Sequence, residues 1–311
     1  MRLLAALLLG AAIPAHGEPF AYVANEKSGT VSVLDTAADR VVGEFAAGKR
    51  PRGMAISRDG AILYVSDQGA NALQVLDTRS KKIERTIALG ESPEGVYLSR
   101  DGTLIAAAVE LTNSVLLIDT ASSKVVASIK TEGKNPEHAV FSPDGRWLYV
   151  SAEDASQVDV VDVREKRQVT SIALSRRPRG IAFTPDGKRA YVACELDSTI
   201  YAIDVQSHRP VAKIAGGNFS NGVVVSPDGG RAYISNGRDA SVSVVSTQTN
   251  EVLATIAVGQ RPWNMAITPD GAKLYVANGR SNSVSVIDTK ANARIADVAV
   301  GELPWGVAIA P

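Results

Sequence analysis

Along most of the chain, short runs of apolar residues alternate with polar ones at a period of two and break at turn-forming residues, which predicts many short strands. Residues 51–90 show the pattern well: GMAIS, the turn SRDG, ILYVS, a loop through Gln68 and Gly69, ALQVLD, a turn through Arg79 and Ser80, and KIERTIAL. The cycle recurs. Asp-Gly pairs begin at Asp59, Asp101, Asp144, Asp186, Asp228 and Asp270, with spacings of 42, 43, 42, 42 and 42 residues. Each unit therefore carries four strands, a period typical of radially repeated sheets. The chain starts in the second strand of a unit, AYVAN at 21–25, and stops after a first strand, GVAIA at 306–310. Each end supplies what the other lacks, and pairing them would close a ring and remove two exposed sheet edges. The pattern predicts an all-β fold, a seven-bladed β-propeller of four-stranded antiparallel blades closed by its N- and C-terminal strands.

The turns carry many carboxylates, and their identical settings mark them as structural. In Ser-Pro-Asp-Gly, Pro supplies a fixed φ and Gly a left-handed conformation, so the six Asp residues belong to hairpin corners. The Asp that ends VLDT, LIDT, AIDV and VIDT is likewise expected to bond nearby backbone amides. Three units depart from the pattern: Ala106-Ala107 stands for Tyr-Val, Ser220 for the turn Pro, and Ser246 for the strand-ending Asp.

Composition narrows the function. The chain has 45% hydrophobic, 21% charged and only 5% aromatic residues, and its formal net charge is zero. Such a balance lacks the basic footprint of nucleic-acid binding and the polybasic tract of a membrane surface. Met1-Arg2, an apolar run from Leu3 to Ile13, Pro14 and Ala15-His16-Gly17 read as a signal peptide over residues 1–17. That run is too short to span a bilayer, and no Cys stands directly after it to receive a lipid, so a periplasmic or secreted protein without membrane insertion is expected. The mature segment, 18–311, divides into seven units of 42 residues and is expected to be a monomer. Cys194, as the lone cysteine, can form no internal disulfide.

The segments AYVAN at 21–25, LYVSD at 63–67, AYVAC at 190–194 and LYVAN at 274–278, each holding a YVxx tetrad, make the units resemble the YVTN family of β-propeller repeats across the whole mature segment. Length, leader and repeat number are most similar to the subgroup of β-propeller proteins associated with PQQ-dependent catabolism. That resemblance implies an accessory protein of periplasmic alcohol or small-molecule oxidation, with a periplasmic dehydrogenase or transporter component as partner.

First strands of a propeller lie nearest the axis, so the turn entering each one points at the channel mouth. Gly follows the turn at Gly53, Gly95, Gly180, Gly222 and Gly306, where backbones should crowd, and His138 and Asn264 stand in the other two units. The residue just before this position is not dictated by the repeat: Arg52, Glu94, Glu137, Arg179, Asn221, Trp263 and Trp305. Arg50, Arg177 and Arg261 precede the Pro, and Phe219 occupies the matching place beside Ser220. Loops after the second strands add Glu26, Glu110, Glu153, Asp154, Glu195, Arg238 and Arg280. This predicts a binding rim with an acidic sector and a separate arginine and aromatic sector, in which Trp263, Trp305, Phe219 and Arg52 would stack a flat anion and grip its carboxylates. Pyrroloquinoline quinone (PQQ), a flat tricarboxylate, fits that chemistry, and the same residues would serve as hot spots for a protein partner.

No nucleophile elbow, zinc-protease, CxxC, phosphate-loop or dinucleotide motif occurs in a supporting context. Binding is therefore expected in place of catalysis. The alternative is a lactonase-like or metal-dependent hydrolase built on His138 and Glu137, near Glu94, Glu110 and Glu153, with Ca²⁺ as the cation those oxygens would suit. His208 is expected in an exposed turn on the opposite face, and Cys194 as a buried thiol.

Overall fold

The computed structural model describes residues 19–310, which form 28 strands from β1 (Phe20–Asn25) to β28 (Pro304–Ile309) and a single 3-10 turn at Glu153–Ala155. The expected signal peptide lies outside the described residues. The strands make seven four-stranded antiparallel sheets arranged as a ring. The protein is a seven-bladed β-propeller. Six sheets are consecutive in sequence, whereas the seventh takes β28 as its inner strand beside β1, with Ala21 opposite Ile309, Tyr22 opposite Ala308 and Val23 opposite Val307. Blade 1 is this closing sheet, and blades 2 to 7 follow in chain order.

The apolar core is not one central mass but seven wedges, each between neighbouring blades. Tyr64, Leu73 and Val75 of blade 2, for example, pack on Val96, Ile105, Ala107 and Ile118 of blade 3. A middle strand is covered on both faces, so Ile62–Asp67 is buried over its last five positions, while the outer strand Lys82–Ala88 is almost wholly exposed. Burial of both faces explains why period-two alternation fades in the second and third strands, whereas the inner strand Pro51–Ile56 alternates between buried and partly exposed positions.

Specific side chains tie the blades together. Ser66 accepts a hydrogen bond from Gly53 N–H at 2.8 Å and donates to the Glu94 carbonyl of the next blade at 2.6 Å; Ser235 repeats this with Gly222 and Trp263. Asn25, Asn236 and Asn278 close their own loops by donating to paired hydroxyls, such as Ser241 at 3.0 Å and Ser243 at 2.9 Å. These bonds account for the Ser and Asn of the YVSD and YVAN tetrads. The hairpin carboxylates are structural as expected: Asp59 accepts from Ser57 Oγ at 2.5 Å and Ala61 N–H at 3.1 Å, and Gly60 takes a φ of +70°. The departures are absorbed, because Ser246 Oγ accepts from Thr249 N–H at 3.2 Å where Asp stands elsewhere.

His208 corrects the expectation of an exposed side chain. It is half-buried, its Nδ1 lies 2.7 Å from Tyr149 Oη, and its ring packs edge-on against Trp147. The same bridge is made by Asn250 to Tyr191 and by Asp39 to Tyr275, so His208 occupies a latch position between adjacent blades. Cys194 is buried as expected, and burial pushes its thiol up to about 12.

Candidate functional site

At one mouth of the channel, first strands approach too closely for side chains. A Cβ on Gly53 would sit 2.4 Å from the Glu94 carbonyl oxygen, and one on Gly306 2.3 Å from that of Arg52. Lack of a Cβ at Gly95 also makes room for the His138 ring, whose Nδ1 would be 3.0 Å from it. The residues before these glycines form an inner ring. Six of the seven residues preceding the inner strands adopt positive φ, among them Arg177, Phe219 and Arg261 at 55–60°. Left-handed backbone is unfavourable for side chains of that size, and it is held here by the loops above: the Arg177 carbonyl accepts from Glu195 N–H at 2.9 Å, Phe219 from Gly237 and Arg261 from Gly279.

Those loop bonds place a second ring over the first: Glu26, Gln68, Glu110, Glu153, Glu195, Gly237 and Gly279. Sequence reading found its acids but missed Gln68 and the two glycines, although the 42-residue spacing alone picks them out. Gln68 donates to Glu94 at 2.6 Å. The glycines are required by space, since a Cβ at Gly279 would be 2.3 Å from the Trp263 ring and one at Gly237 2.8 Å from the Arg261 guanidinium.

The predicted division into acidic and basic sectors is corrected by the geometry. Arginine and glutamate interlock in two clusters. In the first, Arg52 bonds Glu26 at 3.1 Å and also Glu94, while Arg50 reaches Glu26 from outside. In the second, Arg179 lies 3.1 Å from Glu137 and 3.9 Å from Glu195 and touches Glu153, and Arg177 reaches Glu153 at 3.1 Å and Glu195 at 3.2 Å. Glu26, Glu94, Glu137, Glu153 and Glu195 are all buried. Pairing is the physical reason, because unpaired charges could not enter a dry interior. Glu110 accepts from Ser92 at 2.7 Å, and Asp154 from Asn135.

Trp305 is also corrected. It is 3% exposed, stacked 5.9 Å from His138 at 14° and covered by Arg52 at 5.4 Å, so it is packed into the mouth without an open stacking face and lines a cavity on the inner side. His138 does not meet Glu137 as a dyad. Its Nδ1 is 2.6 Å from Tyr97 Oη, a partner the sequence did not suggest, and its buried Nε2 has none. Burial, with Arg179 and Arg52 adding to it against Glu137, pushes His138 down to about 4, so the ring is neutral at pH 7. Burial and the nearby Glu137 carboxylate raise Glu94 well above the ordinary range, against the pull of Arg52. Burial would raise Glu137 too, but Arg179, with Arg52 beside it, holds it below its usual value. Among the described residues, no group of three or more His, Cys, Asp or Glu side chains is arranged to hold a metal ion; of the carboxylates considered for Ca²⁺, Glu94, Glu137 and Glu153 face arginines and Glu110 faces Ser92.

One sector stays open. Phe219 and Trp263 are half-buried, with Arg261 5.4 Å and 5.9 Å from their rings and Arg238 3.7 Å above Phe219. A recess of about 320 Å³ is lined by Phe219, Gly237, Arg238, Gln260, Arg261 and Arg280. Arg261 is bonded to Glu195 at 2.7 Å, whereas Arg238 and Arg280 are exposed and have no carboxylate partner among the described residues. Asn221, the inner-ring residue of this sector, is buried with its Nδ2 lacking an acceptor.

Three family models match parts of the chain: "Lactonase, 7-bladed beta-propeller" over residues 165–298, "YNCE-like beta-propeller" over 11–102, and "Cytochrome D1 heme domain" over 101–218. Each covers less than half, so they agree on the propeller without fixing one family. A search of curated proteins found no match. Among solved structures, Kuenenia stuttgartiensis hydrazine synthase aligns with a TM-score of 0.81 and 23% identity over 91% of this chain and 99% of that one. A functionally unknown protein from Desulfotomaculum acetoxidans gives 0.82 and 18% over 94% and 98%. Dihydro-heme d1 dehydrogenase NirN, in complex with DHE, gives 0.72 and 16% over 97% and 77%. At these identities the likeness is one of fold.

Proposed function

We propose that the protein is a non-catalytic binding propeller, exported and accessory to PQQ-dependent catabolism of alcohols or other small molecules, whose contact surface is the open recess between blades 6 and 7. The observation that carries this reading is the placing of Arg238 and Arg261 over Phe219 and of Arg261 beside Trp263, with Arg280 on the wall of the same recess and Glu195 the only carboxylate among the described residues bonded to any of the three. Unpaired guanidiniums beside an aromatic face suit a flat polycarboxylate, which gains forked hydrogen bonds and stacking together. The rest of the rim is spent on internal ion pairs. PQQ is the ligand to test. Titration calorimetry is expected to give saturable binding that weakens about tenfold or more in Arg238→Ala and in Arg280→Ala, the range for one lost charged hydrogen bond. Absence of saturable heat, or unchanged affinity in both variants, would overturn the ligand assignment.

The hydrolase alternative is favoured by one observation, the lactonase match over residues 165–298. That stretch excludes His138 and Glu137, and both are already engaged with Tyr97 and Arg179. A lactone-hydrolysis assay is expected to show no activity dependent on either residue.

A further inference from the structure

The packed group of Arg52, Trp305 and His138 stands at one mouth of the channel, and a second compartment lies on its far side. A cavity of about 470 Å³ runs from the level of Gly53, Gly95 and Gly306 to the hairpin turns at Arg100, Pro143 and Pro185 on the opposite face. This volume is in the range that small-molecule sites occupy. The larger part of its wall is apolar, with Met54, Leu98, Phe141, Phe183, Val224 and Met265 lining it from six different blades.

Two polar groups stand at its ends. At the floor, Asn264 lines the cavity and its buried Nδ2 has no acceptor. A buried donor without a partner costs about 1–3 kcal/mol, so a turn of the amide that brings this occluded nitrogen to an oxygen in the cavity would be favoured. At the mouth stands Arg100, exposed and without an ion pair among the described residues. Four of the six turns at this face carry Pro before the Asp, at Pro143, Pro185, Pro227 and Pro269; the other two, on adjacent blades, carry Arg58 and Arg100. Arg58 leans toward the neighbouring turn, since a Cβ at Gly102 would lie 3.3 Å from its Cδ. The adjacent Asp59 and Asp101 turn their carboxylates to Ser57 and to Ser99 and Thr103, and among the described residues neither forms an ion pair with these arginines.

We propose that this compartment binds an aliphatic carboxylate bearing a distal oxygen, such as an ω-hydroxy acid, with the chain along the apolar wall, the carboxylate at Arg100 and the distal oxygen accepting from Asn264. The site is separate from the Phe219 recess and does not rest on the quinone assignment.

The test is titration of the purified protein with 10-hydroxydecanoate, decanoate and decanol below their aggregation limits, read by calorimetry. 10-Hydroxydecanoate is expected to bind at one site per chain, severalfold tighter than decanoate and about tenfold or more tighter than decanol. Arg100→Gln is expected to weaken both acids about tenfold and leave decanol unchanged, while Val224→Trp, which fills the cavity, removes all three. If Val224→Trp does not fold, the ligand series and Arg100→Gln still decide the matter. Arg238→Ala is expected to bind 10-hydroxydecanoate like the wild type, which keeps failure here distinct from failure at the recess. The proposal falls if no saturable binding occurs, if decanol equals the acids, if the hydroxyl brings no gain, or if folded Val224→Trp binds normally.

Discussion

Arg179→Met removes the guanidinium that Glu137, Glu153 and Glu195 share, and the size of its effect follows from what remains. Arg177 still reaches Glu153 and Glu195, so those two keep a partner. Glu137 does not: it is 4% exposed, and among the described residues its one ion pair is to Arg179. Leaving a buried charge uncompensated costs about 3–5 kcal/mol, and the surviving contacts of Arg177 place this case near the lower figure. For a protein of this size each kcal/mol moves Tm by roughly 2–4 °C, so a fall of about 6–12 °C is expected. The pH dependence gives a sharper check. Without Arg179, burial raises the folded-state pKa of Glu137 above its unfolded value, so stability is present below the unfolded pKa and is lost as pH rises through the folded one. The deficit of Arg179→Met should therefore narrow as pH is lowered from 8 to 5. Arg179→Met/Glu137→Gln should recover most of the loss at pH 7. Scanning calorimetry and urea unfolding across that range measure both. A deficit below about 1 kcal/mol at pH 7, or one that neither pH nor the second substitution changes, would refute the view that this cluster is held by charge pairing in a dry interior.

Two further outcomes follow from buried groups. His138 sits at about 4 in the folded protein, below its unfolded value near 6.5, so the unfolded chain takes up its proton first and stability falls as pH drops from 6.5 toward 4. His138→Gln should flatten that part of the stability–pH profile by up to about 3 kcal/mol, and an unchanged acid limb would count against a buried neutral imidazole. Cys194, buried with its thiol raised to about 12, should resist Ellman's reagent in the native state and react on unfolding; rapid native labelling would show that the strand end is open.

Much of the fold was legible because a repeat protein writes its local rules several times over. Asp59-Gly60 and its five counterparts each need the same corner, and the complementary ends at AYVAN and GVAIA specify closure without any long-range inference. The candidate site was legible only as a roster. Arg52, Glu94, Glu137, Arg179, Asn221, Trp263 and Trp305 stand out because the repeat does not dictate them, yet their partners come from neighbouring blades and a second ring. Trp305 illustrates the limit: its identity suggested an exposed stacking face, and only its placement against His138 and beneath Arg52 shows it packed into the mouth.

The sequence by itself determined the ring, the blade count, the structural character of the turn carboxylates and the positions free to vary. Tertiary structure decided which of those positions neutralise one another. Within a blade, geometry repeats at a fixed spacing and local bonds follow from it. Around the axis, the distance between two side chains depends on ring curvature and on where a glycine leaves space, as Gly237 and Gly279 do for Arg261 and Trp263. That is why the opening between blades 6 and 7 and the cavity floor became visible only once the blades were set around their common channel.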